Sequence, residues 1–219
     1  MCNMKQIKLG IIGCGGAIAG LHMNNVIAGK CPSVQITAIS NRTIQKAYDV
    51  AKMLEDNGIN VKVYDTDSDL IQNADIDAIL INTPHYQHEE LAIEAFEKGL
   101  HVLSEKPSGA YTLQALRMNE AADKNEYSKN DLTGKTVPKV HIENVPLEGV
   151  YTAHGGILES FAREIIDGTP QIADGHDGYF SLSIANALIW SQWQGNKTIT
   201  MPIDDEAYFK CLQEHYKTK

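Results

Sequence analysis

Lys106 is the residue in this sequence with the clearest chemical assignment. It stands in Glu105-Lys106-Pro107, directly after the apolar run His101-Val102-Leu103-Ser104. Proline cannot continue a sheet, so the chain must turn there, and a cis peptide would turn it sharply. A lysine held at such a turn and partly desolvated beside a bound ligand would favour its neutral amine and serve in proton transfer. A lysine after a strand is otherwise simply solvated. Two histidines, His85 and His88, lie three positions apart at the start of a helical stretch. That spacing can share a metal, but no further carboxylate or cysteine stands near in sequence. We therefore expect no metal site, and read His88 as a polar contact at the edge of a cofactor.

A second constellation is Lys8-Leu9-Gly10-Ile11-Ile12-Gly13-Cys14-Gly15-Gly16-Ala17-Ile18-Ala19, an apolar strand running into glycines. Glycine lets the backbone approach a phosphate closely, and a following helix N-terminus offers unpaired N–H groups to the anion. Gly13, Gly15, Gly16, Ala17 and Ile18 are the candidate phosphate contacts. The full G-x-G-x-x-G spacing wants a small residue where Ile18 stands, so a slightly altered turn is expected. At the end of the second strand, where an acidic residue would hold a free ribose 2′-hydroxyl, the chain has Asn41 followed by Arg42 and Thr43. An amide repels no phosphate and a guanidinium pairs with one, which tilts the cofactor toward NADP over NAD.

These groups need a scaffold. Apolar runs at 6–12, 34–39, 61–64, 77–82 and 101–104 read as strands. Helical stretches fall between them, at Leu21–Ile27, Thr43–Asp56, Asp67–Ile71 and Gln87–Lys98. Thr43 is expected to cap the second, which buries Ile44, Ala47, Tyr48, Ala51 and Leu54, and Gly58 and Gly99 stop the second and the last. Strand–helix alternation predicts an α/β fold with a doubly wound, Rossmann-like parallel sheet. Right-handed crossovers then gather Gly13–Ala17, Asn41–Thr43, Thr83-Pro84-His85 and Glu105–Pro107 on one edge, where a ligand should bind.

The composition, 43% apolar and 21% charged, is that of an ordinary globular chain. A net charge of −9 argues against nucleic acid or an anionic membrane as a general partner. Four cysteines without CxxC spacing read as reduced thiols of a cytoplasmic protein. We read no signal peptide and no membrane span.

Taken together, Gly10–Gly16, Asp77-Ala-Ile-Leu-Ile-Asn-Thr-Pro84 with His88, and Gly99-Leu-His-Val-Leu-Ser-Glu-Lys-Pro107 resemble the Gfo/Idh/MocA family of NAD(P)-dependent oxidoreductases. The resemblance covers residues 5–124. It implies hydride exchange between NAD(P) and a sugar, polyol or related hydroxyl compound. It also implies that Lys106 lies at the nicotinamide, that Thr83, Pro84 and His88 line the cofactor site, and that Glu105 contacts it. His154–Pro170 and Gly178–Trp193, followed by a strand and Met201-Pro202-Ile203-Asp204, are similar to the family's late segment.

The middle departs from the pattern. The family carries a large antiparallel substrate sheet and an Asp-x-x-x-His helix after Thr112–Lys124, and residues 125–153 hold neither. Six strands cannot fit in that length. The expected organisation is a cofactor domain over 1–124 and a linker remnant over 125–153, loop-like in 125–136 with one strand-like run at Val137–Val145. Residues 154–219 form a truncated α+β portion, mostly helices. Their apolar faces (Ile157, Phe161, Ile165; Leu182, Ala185, Ile189) with Trp190 and Trp193 should pack mainly on the first domain, with a homo-oligomer as the other outlet. The alternative function is a non-catalytic nucleotide-binding remnant.

Overall fold

A computed structural model describes residues 5–124 and 153–217. The loop and strand-like run expected between them lie outside the described residues. Five parallel strands form the sheet: β1 (Ile7–Ile12), β2 (Val34–Ser40), β3 (Lys62–Tyr64), β4 (Ala78–Ile81) and β5 (His101–Ser104). Their spatial order is β3-β2-β1-β4-β5, so the direction of winding reverses at β1, between β2 and β4. All five expected strands are present: β1, β3 and β4 begin one residue later than expected, β4 also ends one earlier, β2 runs one residue further and β5 matches.

Helices α1 (Ala17–Ile27), α2 (Ile44–Asp56), α3 (Asp67–Asn73), α4 (His88–Lys98) and α5 (Thr112–Lys124) accompany the sheet. Strands β1 and β4 are apolar at nearly every position because both of their faces are covered. One core cluster joins Leu9, Ile11 and Ile36 to Met23 of α1 and Leu54 of α2. The other joins Ile12, Ile79 and Ile81 to Leu70 of α3, Ala92 and Ala95 of α4, and Met118 of α5. Gly58 and Gly99, at φ +80° and +85°, end α2 and α4 as the sequence reading expects. Thr43 occupies the N-cap position of α2, yet its side chain makes no capping bond. Only Ala47 and Leu54 of the expected α2 face are buried, while Tyr48 and Ile44 are exposed. A helix on the flank of the sheet needs only a narrow apolar stripe.

Three further helices follow: α6 (Ala153–Asp167), α7 (Gly175–Trp193) and α8 (Asp205–Lys217). No strand follows α7; residues 195–204 are irregular and lead into α8, which the sequence reading lacks. The cause is local. Gly195 and Asn196 both take positive φ and reverse the chain, and Ile203 then folds inward with Tyr208 and Ala187 instead of pairing with a sheet. Trp193 stacks between Tyr208 and His215, with centroids at 6.1 Å and 4.3 Å.

Helix α6 packs on the sheet as expected. Leu158, Phe161 and Ala162 join the cluster of β1, β2 and α1. Glu159 accepts bonds from the Ser33 backbone N–H at 3.1 Å and hydroxyl at 2.7 Å. Helix α7 buries Leu182, Ser183, Asn186 and Ala187, and the Thr112 N–H at the start of α5 donates to Asn186 Oδ1 at 3.2 Å. The expected inner face of α7 is corrected by one step: Ala185 and Ile189 are exposed, because the polar Asn186 points inward to cap α5. Among the described residues no helix is long and apolar enough to cross a membrane.

The shared core makes one prediction. Leu158→Ala, at a fully buried position, should destabilise the whole chain by about 2–5 kcal/mol, seen as a lower urea midpoint with one transition. An unchanged midpoint would mean that α6 is not part of the sheet's cooperative unit.

Candidate functional site

Strand β1 ends at Ile12, and Gly13 takes φ +76°. Its N–H and that of Cys14 both donate to the Ser40 carbonyl at the end of β2, at 3.0 and 3.1 Å. The turn is thus pinned to one neighbouring strand and pressed against the other. A Cβ on Gly13 would lie 2.9 Å from the Asn82 carbonyl carbon and oxygen, so only glycine fits. Gly15 is similarly close to Asn41 and Lys46, with its added Cβ at 3.1 Å from both. Its N–H donates to Asn41 Oδ1 at 3.1 Å, while Asn41 Nδ2 donates to the Thr43 carbonyl. Arg42 next to it is exposed.

Gly16 is the N-cap of α1 and provides no side-chain bond, and the first turn of α1 holds no acidic residue. The N-terminal N–H groups of Ala17 and Ile18 therefore face outward with the positive end of the helix dipole. Ile18 sits in that first turn with its side chain partly exposed, so the altered spacing is accommodated by turning it to solvent.

The opposite wall comes from β4. Asn82 follows the strand, and its Oδ1 and Nδ2 are buried with no hydrogen-bond partner, as is Thr83 Oγ1. Buried polar atoms are normally paired, so these orphans beside the Gly13 turn mark a place for a polar ligand. Asn82 is a candidate site residue that stands in the sequence as the end of a strand and within the Asp77–Pro84 motif, without being singled out there. Pro84 and His85 begin the short 3₁₀ turn His85–Gln87 and are exposed.

His88 turns inward. Its Nε2 donates to the Thr83 carbonyl at 2.8 Å, and Ser104 Oγ lies 3.1 Å from Nδ1, with the Pro107 carbonyl at 3.2 Å. Burial pushes the imidazole below its ordinary value, against the pull of its carbonyl partners. The neutral ring accepts the Ser104 hydroxyl and braces the loop after β4 against that after β5. Ser104 is a second residue missed by sequence reasoning.

After β5, the Lys106–Pro107 peptide is cis, as the turn argument anticipates. Lys106 and Pro107 are exposed. Glu105 is partly buried and accepts from His22 Nε2 at 2.7 Å. That hydrogen bond holds the Glu105 carboxyl below the usual carboxylate range, with burial opposing. His22 is 2% exposed and was not anticipated as a site residue; nor was the role of His154, whose ring meets it edge-on at 5.2 Å. A cavity of about 510 Å³ opens beside them, walled by Lys106, Phe161 and His176 among others. The carboxyl ends of β1, β2, β4 and β5 thus gather every sequence-predicted loop on one rim.

Two measurements follow. Gly13→Ala should lower stability by more than about 1 kcal/mol, because a side chain at positive φ is strained before its clash is counted; an unchanged melting temperature would refute the tight turn. His88 is neutral in the fold and more basic when unfolded, so its contribution is present above about pH 6.5 and lost as pH falls through its lowered native value. His88→Gln should flatten that acid limb in urea titrations, and an unaltered slope would rule the residue out.

The comparisons agree with this geometry. The family described as "Oxidoreductase family, NAD-binding Rossmann fold" matches residues 7–128. The rhizopine catabolism protein MocA of Rhizobium meliloti is 26% identical over 121 residues, 55% of this chain and 35% of that protein. Inositol 2-dehydrogenase 4 of Saccharopolyspora erythraea is 29% identical over 118 residues, 53% of this chain and 33% of its own length. Among solved structures, the WlbA dehydrogenase of Bordetella pertussis, in complex with NADH and UDP-GlcNAcA, superposes with a TM-score of 0.50 at 25% identity. That match covers 57% of this chain and 36% of the dehydrogenase. The chain spans about a third of the length of the relatives it matches. With the glycine turn, the reversal point and the Glu-Lys-Pro corner all inside the matched region, this chain belongs to the oxidoreductase family with an NAD-binding Rossmann fold.

Proposed function

We propose that residues 1–124 bind a nicotinamide dinucleotide along the carboxyl rim, and that the associated reaction is hydride exchange with a sugar-like or polyol hydroxyl. The observation that carries this is the cradle at Gly13: a turn too tight for a Cβ, a helix start with no side-chain cap, and the unpartnered polar atoms of Asn82 and Thr83 opposite. In this reading Gly13, Gly15, Gly16, Ala17 and Ile18 receive the pyrophosphate, whose charge the α1 dipole favours. Asn41 and Arg42 face the adenosine ribose. Thr83, Pro84, His85, His88, Glu105, Lys106 and Pro107 border the nicotinamide half.

When bound, the dinucleotide supplies the hydride acceptor or donor. In this reading Lys106, which is exposed and borders the cavity, exchanges the hydroxyl proton. NADP is favoured over NAD, since Arg42 is free to pair with a 2′-phosphate and Asn41 brings no repelling charge. The free thiols Cys14, Cys31 and Cys211 suit a reducing, cytoplasmic setting.

A second reading is a domain that binds the dinucleotide without turnover. It is favoured by sequence length: residues 125–153 leave no room for a substrate sheet between α5 and α6, and orientation of the substrate supplies about 7–11 kcal/mol in favourable cases.

The test is a titration of NADH and NADPH followed by nicotinamide fluorescence, then absorbance with a panel of inositols and sugars. We expect saturable binding, tighter for NADPH. Arg42→Ala should weaken NADPH about tenfold more than NADH, the loss of one charge-assisted contact; equal losses would remove the NADP preference. Turnover that falls by about a hundredfold or more in Lys106→Ala would establish the oxidoreductase reading. Binding without turnover would establish the second, and absence of binding would end both.

A further inference from the structure

Three groups able to ligate a metal ion converge from three separate elements beside the cavity. His22 comes from α1, Glu105 from the corner after β5, and His154 from the first turn of α6. One nitrogen of each imidazole and one carboxylate oxygen all lie within 4.8 Å of one another. No metal is expected from the sequence, where His85 and His88 are the only pair at ligand spacing considered; this cluster is assembled by the fold from residues 22, 105 and 154.

As a hydrogen-bonded cluster it is incomplete. The single bond in it runs from His22 Nε2 to Glu105 Oε1 at 2.7 Å. His154 meets His22 edge-on, and among the described residues no hydrogen bond joins it to the pair. His22 Nδ1 is buried without a partner, in a ring only 2% exposed. A buried ring held by one bond, next to a second imidazole that spends no hydrogen bond on the shared carboxylate, is poorly explained as a tether.

A cation accounts for it better. Two neutral imidazoles and one carboxylate are the donor set that borderline divalent ions accept, at bonds of about 2.0–2.2 Å. Ligand atoms around such an ion sit roughly 3.3 Å apart, so small side-chain rotations would bring His154 in and part the 2.7 Å His22–Glu105 pair, with the His22 proton passing from Nε2 to Nδ1 as Nε2 turns to the ion. The carboxylate supplies the negative charge that the ion needs at a largely buried position. His22, Glu105 and His154 also border the 510 Å³ cavity, which leaves coordination open to water or a ligand oxygen on that side.

We propose that His22, Glu105 and His154 form a binding site for one divalent transition-metal ion of the zinc type, open to the cavity. The ion would join α6 to the rim of the sheet through a bond to each. The site stands independently of dinucleotide binding and is tested without it.

The test titrates Co²⁺ into the purified, chelator-treated chain and follows the visible d–d bands, with Zn²⁺ calorimetry for stoichiometry. One ion per chain is expected, with the stronger absorption of a low-coordinate nitrogen–oxygen site, displaced by Zn²⁺. His154→Ala should weaken binding by more than about a hundredfold, since even outer partners of metal ligands are worth ten- to a hundredfold. His176→Ala, which removes another imidazole lining the same cavity, should leave it unchanged. Glu105→Gln keeps the size of the side chain and should weaken binding comparably if His154→Ala fails to fold. No saturable one-to-one binding by the unaltered chain would overturn the site. So would equal affinity in His154→Ala or Glu105→Gln, or loss of binding in His176→Ala.

Discussion

The carboxyl rim depends on one contact: the Gly13 turn lies flat against the peptide that follows β4. Strand β1 is hydrogen-bonded to β2 on one side and β4 on the other, so its end cannot shift sideways. The turn's two N–H groups are already committed to Ser40 of β2. The remaining direction is toward Asn82, and there a Cβ would meet the carbonyl at 2.9 Å. Parallel pairing sets the strand ends level, and the missing side chain lets the crevice close. Asn41, Thr83 and Glu105 each follow a strand whose register is fixed relative to β1.

From that contact outward, the rim is braced by side chains rather than by further strands. His88, neutral in its buried setting, links the Thr83 carbonyl to the corner at Ser104. Gln114 reaches from α5 to the Ala110 N–H at 2.7 Å and holds the exit of the same corner. Lys106 thus stands on a loop fixed at both ends, while its own side chain remains in solvent. A reactive group gains from such a base, because orientation is set before any ligand arrives.

Much of this was legible in the sequence, for a physical reason. Buried parallel strands are short apolar runs, and the loops that follow them are punctuated by Gly13, Thr83-Pro84 and Pro107. Both signals are local, and so is the Gly99 stop. Misread features depend on distant partners. Thr43 has a capping residue's chemistry, yet its side chain makes no capping bond. Ala185 and Ile189 form an apolar pair at helical spacing, yet Asn186 is the residue turned inward, because the Thr112 N–H at the head of α5 needs an acceptor. His22 reads as one polar residue on α1, and only the fold shows that it is buried against Glu105. The absent strand after α7 was a matter of chain reversal at Gly195-Asn196, where positive φ outweighs the β-branched character of Thr198-Ile199-Thr200.

The helices after residue 153 tie these observations together. In a chain with a sheet already covered on both faces by α1–α5, α6 would be superfluous to the core, yet Leu158 and Ala162 are fully buried in it. Helix α6 occupies the same side of the sheet as α1, and it brings Glu159 to Ser33 and His154 to His22. Its sequence therefore satisfies two demands at once. The apolar positions complete the sheet's cover next to β1 and β2. The polar positions reach the two ends of α1's neighbourhood, one at the loop before β2 and the other beside Glu105 at the rim. A helix that only filled space would need the first set alone, and the second set is what connects the carboxyl-terminal segment to the chemistry of the cleft.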